Sequence, residues 1–403
     1  MMPLTNYFLQ GQKFCQTGCI GLEVEHFILN KTTREPLPWQ GLFSVSSLMV
    51  QLSKHFDIKY YEQENLIGLE NHWVLITLEP GCQLEISLTC MQNLEKIRTI
   101  YTDTVVLIQY YLDTMGYELV YSGGLPSVKS TDVKRIPKKR YEYMENWFHH
   151  TGTRGLEMMK ATAAVHVSID YRDEQDFIKK YKMANILHPI FSFITSNTLY
   201  YEGQKNKDVL LRDSIWHHTD PERCGVVPFL FEKDFGFDKM SKWLENLPLI
   251  LMHDKNQFIS TGNKTMKEVA KQYGYSQKSM EHYLSMVFLD VRLKRYIEIR
   301  SADSMPIEYT QSYCALIKGL FYQPDVVDLY SSITSSIESI ECAKKNLRKN
   351  NWKVSVYNYN LVDFVQCLFQ KAKQGLPKEE QSMLRPLETL IYKKSHISQE
   401  IVC

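Results

Sequence analysis

The sequence predicts an α+β fold, and three observations carry that prediction. Several short segments alternate strictly between apolar and polar residues, longer ones repeat apolar residues at helical spacing, and the two kinds are interspersed without a regular strand–helix–strand beat. Residues 21–29 (GLEVEHFIL) alternate as a strand, with Glu23 and Glu25 on one face. Residues 74–88 (VLITLEPGCQLEISL) read as two alternating segments parted by Pro80–Gly81. A mostly helical stretch follows over about 91–116, and 162–171 (TAAVHVSIDY), rich in small and β-branched residues, is the clearest strand. Helices are expected at 173–187, 237–247, 265–272, 278–289 and 361–373 (LVDFVQCLFQKAK). From about residue 320 the chain reads as helical and peripheral. It contains no internal repeat, low-complexity tract or long linker.

Bulk properties narrow the function. Hydrophobic residues make up 44% of the 403 and charged ones 23%, an ordinary globular balance. Lys plus Arg number 47 against 46 Asp plus Glu, a net charge of +1, which argues against nucleic acid as a partner. No run of about 18 apolar residues exists to span a membrane, and the N-terminus has no apolar core of signal-peptide length. The nine cysteines are odd in number and form no C-x-x-C pair; Cys15 and Cys19 are the nearest. Reduced thiols in a cytoplasmic protein are the expectation.

Three segments could carry chemistry. Carboxylates recur on strands: Glu23 with Glu25, then Glu79 and Glu85 six apart across a turn, while His166, Ser168 and Asp170 share the parity of a third strand. Each is compatible with a solvated strand face. Together they shift the reading towards a metal site, because buried carboxylates need a compensating cation and Mg²⁺ takes carboxylate oxygens. The run Asp290–Asp303 (DVRLKRYIEIRSAD) taken alone reads as a helix with its charges in water; on an extended chain Tyr296, Glu298 and Arg300 would share a face. Third, Leu210–Asp220 (LLRDSIWHHTD) places Arg212 among apolar residues, with Trp216 as part of an apolar wall. His217 and His218, adjacent on an extended chain, would point apart and are read as structural or exposed. The basic run Lys134–Arg140 is set aside as a nucleic-acid patch, and no Walker-type or G-x-G-x-x-G motif occurs.

These segments, taken in order from about Gly21 to Tyr330, resemble the glutamate–cysteine ligase family, in particular its plant and proteobacterial branch. GLEVEHF stands where that branch has a GTEHEKF-like strand, ITLEPGCQLEIS where it has an ISLEPGGQFELS-like turn, PKKRY (Pro137–Tyr141) for a PKGRY-like loop and TAAVHVSID for a TCTVQVNLD-like strand. TDPERCGVVPFLFEKDFGFDKMSKWL and FLDVRLKRYIEIRSAD match the family's later blocks, the second almost residue for residue. The resemblance implies a single ligase catalytic domain over 1–403 with a mostly helical C-terminal part. It implies a funnel-like antiparallel sheet flanked by helices, similar to the glutamine synthetase catalytic fold. The implied reaction is phosphorylation of glutamate's γ-carboxylate by ATP, with Mg²⁺, followed by attack of cysteine's amine, in a monomer or homodimer.

Carried over by position, Glu23, Glu25, Glu79, Glu85 and Glu298 are the implied metal ligands, with Glu298 and Arg300 catalytic. Arg300 would stabilise the transferring phosphoryl group, and Arg212 would clamp the substrate glutamate's carboxylate, with Arg140 beside the same anionic region. Arg292 and Arg295 are implied as structural or as phosphate contacts. His166 replaces a glutamine of the plant-like strand, and a more distant bacterial branch has a histidine there near metal and substrate. Gly81–Cys82–Gln83 replaces GGQ, and Ser301 replaces the glycine after Arg300. These departures leave open a γ-glutamyl ligase that uses another amine, and a ligase-like protein without catalysis; retention of all five glutamates with Arg300 argues against the second.

Overall fold

The strand at Ile20–Asn30 (β1) shows how the sheet is built. Ile20, Leu22 and Val24 are buried on one face, while Glu23 and Glu25 stand half-buried on the other. The computed structural model describes residues 3–13, 18–254, 257–349 and 352–400. It adds β2 (Ile58–Glu62), β3 (Asn65–Glu70), β4 (Val74–Leu78), β5 (Leu84–Met91), β6 (Tyr117–Val120), β7 (Ala164–Ile169), β8 (Val291–Leu293) and β9 (Ile297–Asp303). The nine strands form one sheet in the order β8-β9-β7-β1-β5-β4-β3-β2, with β6 paired to the far half of β1; every pairing is antiparallel. The α+β fold class predicted from the sequence is the one observed.

Register aligns the polar positions. Glu25 lies opposite Glu85, Glu23 opposite His166 and Ser87, and Glu298 opposite Ser168. Side chains alternate between faces, so these residues share one surface while Val24, Ile86, Val167 and Ile299 point into the core behind it. Helix Leu94–Met115 crosses that apolar side. The Asn93 side chain caps its start, and Gly116, at φ 76°, supplies the left-handed stop. Helix Ile307–Phe321 packs beside it and against β7.

Several expectations need correction. The charged run 290–303 is not a solvated helix but the hairpin β8–β9, with Glu298 wholly buried. The helix expected at 278–289 ends at Leu284, and Phe288–Leu289 pairs instead, in parallel, with Cys224–Gly225. The helix expected to stop at 187 runs over Glu174–Ile194 through Pro189. Proline removes one ladder donor there, and Tyr357 donates to the nearby Ile186 carbonyl at 2.6 Å. Residues 211–217 form a helix, not an extended segment. The C-terminal part is not peripheral throughout. Helices Pro324–Ser331 and Ile337–Leu347 pack on Glu174–Ile194, and Lys344 is buried there. Cys15 lies outside the described residues.

Buried apolar side chains from Leu4 to Ile397 join one core, with a small satellite around Phe27, Leu29 and Leu125. No helix among the described residues is long and apolar enough to cross a membrane.

Candidate active site

The polar face of the sheet closes into a cavity of about 230 Å³ lined by Glu23, Glu25, Glu79, Glu85, His166, Arg140, Arg212, Arg292 and Arg300. Three larger clefts, beside Trp147, Tyr60 and Trp243, contain no comparable carboxylate set.

Within the cavity the carboxylates fall into two groups with opposite electrostatics. Glu25 accepts from the Ala164 amide at 2.8 Å, and Glu85 from the Thr77 and Ser87 hydroxyls at 2.8 and 3.1 Å. Burial, then the neighbouring Glu79 and Glu85, push the Glu25 pKa well above the usual carboxylate range. Burial, Glu23 and Glu79 raise that of Glu85 to about 8. This group has more negative charge than its surroundings neutralise. The other group centres on Glu298, which receives Arg292 at 2.7 Å, Lys294 at 2.8 Å and Arg300 at 3.1 Å. Burial alone would raise its pKa, but Arg292, Lys294 and Arg300 hold it well below the ordinary value.

Glu23 and His166 join the two groups. His166 Nδ1 meets Glu23 Oε2 at 3.2 Å, while its Nε2 is buried and has no hydrogen-bond partner. Burial, then the Arg300 charge, lower the His166 pKa to about 4, so the ring is neutral and Nε2 can present a lone pair. An orphaned imidazole nitrogen beside carboxylates short of positive charge is a donor set that suits a divalent cation.

The turn carrying Glu79 is held from both sides. Its amide donates to the Gln83 carbonyl, its carbonyl accepts from Cys82, and the Leu78 carbonyl before it receives Lys138 Nζ at 2.8 Å and Tyr141 Oη at 2.9 Å. Gln83 donates to the Met159 and Thr162 carbonyls. Gly81 is required sterically, since a Cβ there would lie 2.7 Å from the Lys160 carbonyl. Cys82 adopts φ 69°, a conformation that costs a non-glycine residue about 1–2 kcal/mol.

The arginines form the roof. Arg212 donates to the Ala302 carbonyl at 2.7 Å, and its buried Nε has no partner. Arg140 binds the Ser285 hydroxyl and carbonyl, bridging to the end of helix Gln277–Leu284. Arg300 lies 5.4 Å over the Trp216 ring, and Trp216 packs on Phe288. Met144, Met158 and Met159 complete an apolar wall.

Glu23, Glu25, Glu79, Glu85, His166, Arg140, Arg212 and Arg300 therefore line one cavity, with Glu298 beneath its three cations, whereas Ser168 and Asp170, grouped with His166 by parity, are not in its lining. Arg292 belongs with them; Arg295 does not, being turned outward to Glu281. His217 and His218 are exposed. Sequence reasoning missed Lys294, Gln83 and Ser285. Lys294 lay in the charged run and becomes visible only once the hairpin returns it to Glu298; nothing in the sequence around Ser285 marked it.

The profile of glutamate-cysteine ligase family 2 (GCS2) matches residues 19–358. The rice protein glutamate–cysteine ligase B, chloroplastic (Oryza sativa subsp. japonica), is 28% identical over 96% of this chain and 82% of its own. The Arabidopsis thaliana glutamate–cysteine ligase, chloroplastic, is 29% identical over 83% of this chain and 66% of its own. In fold, the chain is similar to the crystal structure of a glutamate–cysteine ligase from Francisella tularensis in complex with AMP. The TM-score is 0.53 at 12% identity, covering 96% of this chain and 85% of that one.

Proposed function

This chain belongs to glutamate-cysteine ligase family 2, and from that premise we propose that it is an ATP-dependent ligase joining the γ-carboxylate of glutamate to the amine of cysteine. The observation that supports the reading at the level of residues is the convergence of four carboxylates, one neutral histidine and four arginines on a single cavity, with Glu298 beneath the arginines. In this reading Glu25, Glu79 and Glu85 would hold one Mg²⁺ and Glu23 with His166 another, while Glu298, expected as a ligand, lies behind them with its charge taken up by Arg292, Lys294 and Arg300. When bound, Mg²⁺ would neutralise charge on the phosphate oxygens during transfer.

The chain's own residues account for the rest. Arg212, with its spare Nε–H, clamps the carboxylate of glutamate, and Arg140 covers the same anionic region. The γ-carboxylate attacks the terminal phosphorus of ATP, ADP leaves, and Arg300, stacked on Trp216, stabilises the charge spread over the moving phosphoryl group. The amine of cysteine then attacks the acyl phosphate carbonyl, forming the amide and releasing phosphate. Cysteine enters as a substrate, so no protein thiol is needed as nucleophile. Seven cysteines are described and all are free, which supports a reducing, cytoplasm-like compartment.

The test is ADP release by the purified chain with Mg²⁺, ATP and glutamate, with and without cysteine and alongside other amines. Stimulation by cysteine with γ-glutamylcysteine as product supports the reading. Stimulation only by another amine keeps the mechanism and changes the acceptor, and no stimulation by any amine refutes it.

A further inference from the structure

Behind the cavity lies a second buried cluster. His188, Asp213 and Asp290 bring potential ligand atoms within 4.8 Å of one another, an arrangement that by itself could hold a metal. The cation position is already filled. Lys344, on helix Ile337–Leu347, places Nζ 2.8 Å from Asp213 Oδ1 and 2.9 Å from Asp290 Oδ2. His188 Nε2 lies 3.3 and 3.5 Å from the same two oxygens, and Arg348 pairs with Asp213 Oδ2. A compact ammonium with hydrogen-bond partners on both carboxylates neutralises a site of this size.

What the cluster touches gives it a role. Asp213 follows Arg212 on helix Leu211–His217. The Asp290 carbonyl accepts from the Arg300 amide at 3.3 Å. With Nε2–H facing the carboxylates, His188 Nδ1 accepts from the Ser301 hydroxyl at 2.8 Å, and Ser301 follows Arg300 on β9. A void of only about 20 Å³ separates the cluster from Trp216 and Arg300. Lys344 is thus tied, directly through Asp213 and by way of His188 and Ser301, to the immediate chain neighbours of Arg212 and Arg300, two of the cavity's arginines.

We propose that Lys344 is a positioning residue. Its ammonium, rather than a metal, joins Asp213 to Asp290 and, through His188 and Ser301, fixes where Arg212 and Arg300 stand in the cavity. The kinetic consequence rests on the ligase reading; the positioning itself does not.

The test uses the full chain as wild type, Lys344→Gln, Lys344→Arg and Ser301→Ala. Amide hydrogen exchange is read on segments 211–217 and 297–303, and kcat and KM for glutamate are separated by ADP release. Lys344→Gln is expected to speed exchange in both segments and raise KM for glutamate at least tenfold. Lys344→Arg should restore most of both, and Ser301→Ala should speed exchange in 297–303 alone. A Lys344→Gln chain with a lower Tm but wild-type exchange and wild-type KM overturns the proposal. If that variant does not fold, unchanged exchange and KM in Ser301→Ala overturn it. An anomalous peak between Asp213 and Asp290 in Mn²⁺-soaked crystals would also do so. A wild type that makes neither ADP nor dipeptide counts against the functional reading alone, because the exchange readout needs no substrate.

Discussion

Glu25 and Glu298 are both carboxylates of one cavity, yet their surroundings make opposite demands. Glu25 sits among other carboxylates, so its neutral form is the comfortable one in the absence of a cation. Glu25→Gln imitates that form and removes a repulsion. It is expected to leave Tm at or above the wild-type value while ADP production falls at least a hundredfold, checked by thermal unfolding and turnover on the same preparation. Glu298→Gln strands three cations around an amide. We expect turnover to disappear and stability to fall by about 3–5 kcal/mol, the cost of breaking a buried ion pair from one side. Urea unfolding measures it, and a Glu298→Gln chain as stable as wild type would contradict the buried three-cation arrangement.

At the scale of elements, the turn between β4 and β5 links fold to function most directly. Gly81→Ala forces a methyl onto the Lys160 backbone, and a turn that shifts to relieve the clash carries Glu79 with it. A lower Tm accompanied by a weaker Mg²⁺ requirement for half-maximal rate would contradict this; the expected outcome is a lower Tm with a higher requirement. The elements also show what was legible in advance. β1, β4, β5 and β7 were readable because alternation with one apolar face is a local property, and parity alone put Glu23 and Glu25 on one side of β1; Glu79 stands in the turn after β4, where parity across to Glu85 is interrupted. The β8–β9 hairpin was not. Its charges look solvated until Glu298 is seen to neutralise Arg292, Lys294 and Arg300, and such pairing is invisible in a run of letters. The overrun to 289 has a similar origin, since Phe288 and Leu289 continue an apolar pattern that belongs to a different partner. Pro189 misled in the opposite direction, because tertiary burial carries the helix through it. Ser285 could be found only by seeing where Arg140 ends.

For the molecule as a whole, the carboxylate group predicts a coupling between pH and metal. Glu85, with its pKa raised to about 8 in the folded chain against about 4.5 for an ordinary glutamate, favours folding most below pH 4.5 and loses that contribution as pH rises through 8. As proposed ligands, these carboxylates would bind Mg²⁺ in competition with the proton, so added Mg²⁺ should raise Tm more at pH 8 than at pH 6. Thermal unfolding at the two pH values decides it, and an equal or reversed difference would contradict the assignment of Glu25, Glu79 and Glu85 as ligands.

The sheet order has a consequence for the timing of synthesis. β1 carries Glu23 and Glu25, and β9, which begins at Ile297, brings Glu298 and Arg300 beside β7 long after β1, which ends at Asn30, has been made. Pairings between such distant segments form late. A chain still on the ribosome can therefore hold most of the acidic strands, yet it lacks Arg300, proposed for phosphoryl transfer, and Glu298 beside it. Under the proposed mechanism an unfinished molecule would spend no nucleotide, because the last strand to enter the sheet on that side carries the residues proposed to make it reactive.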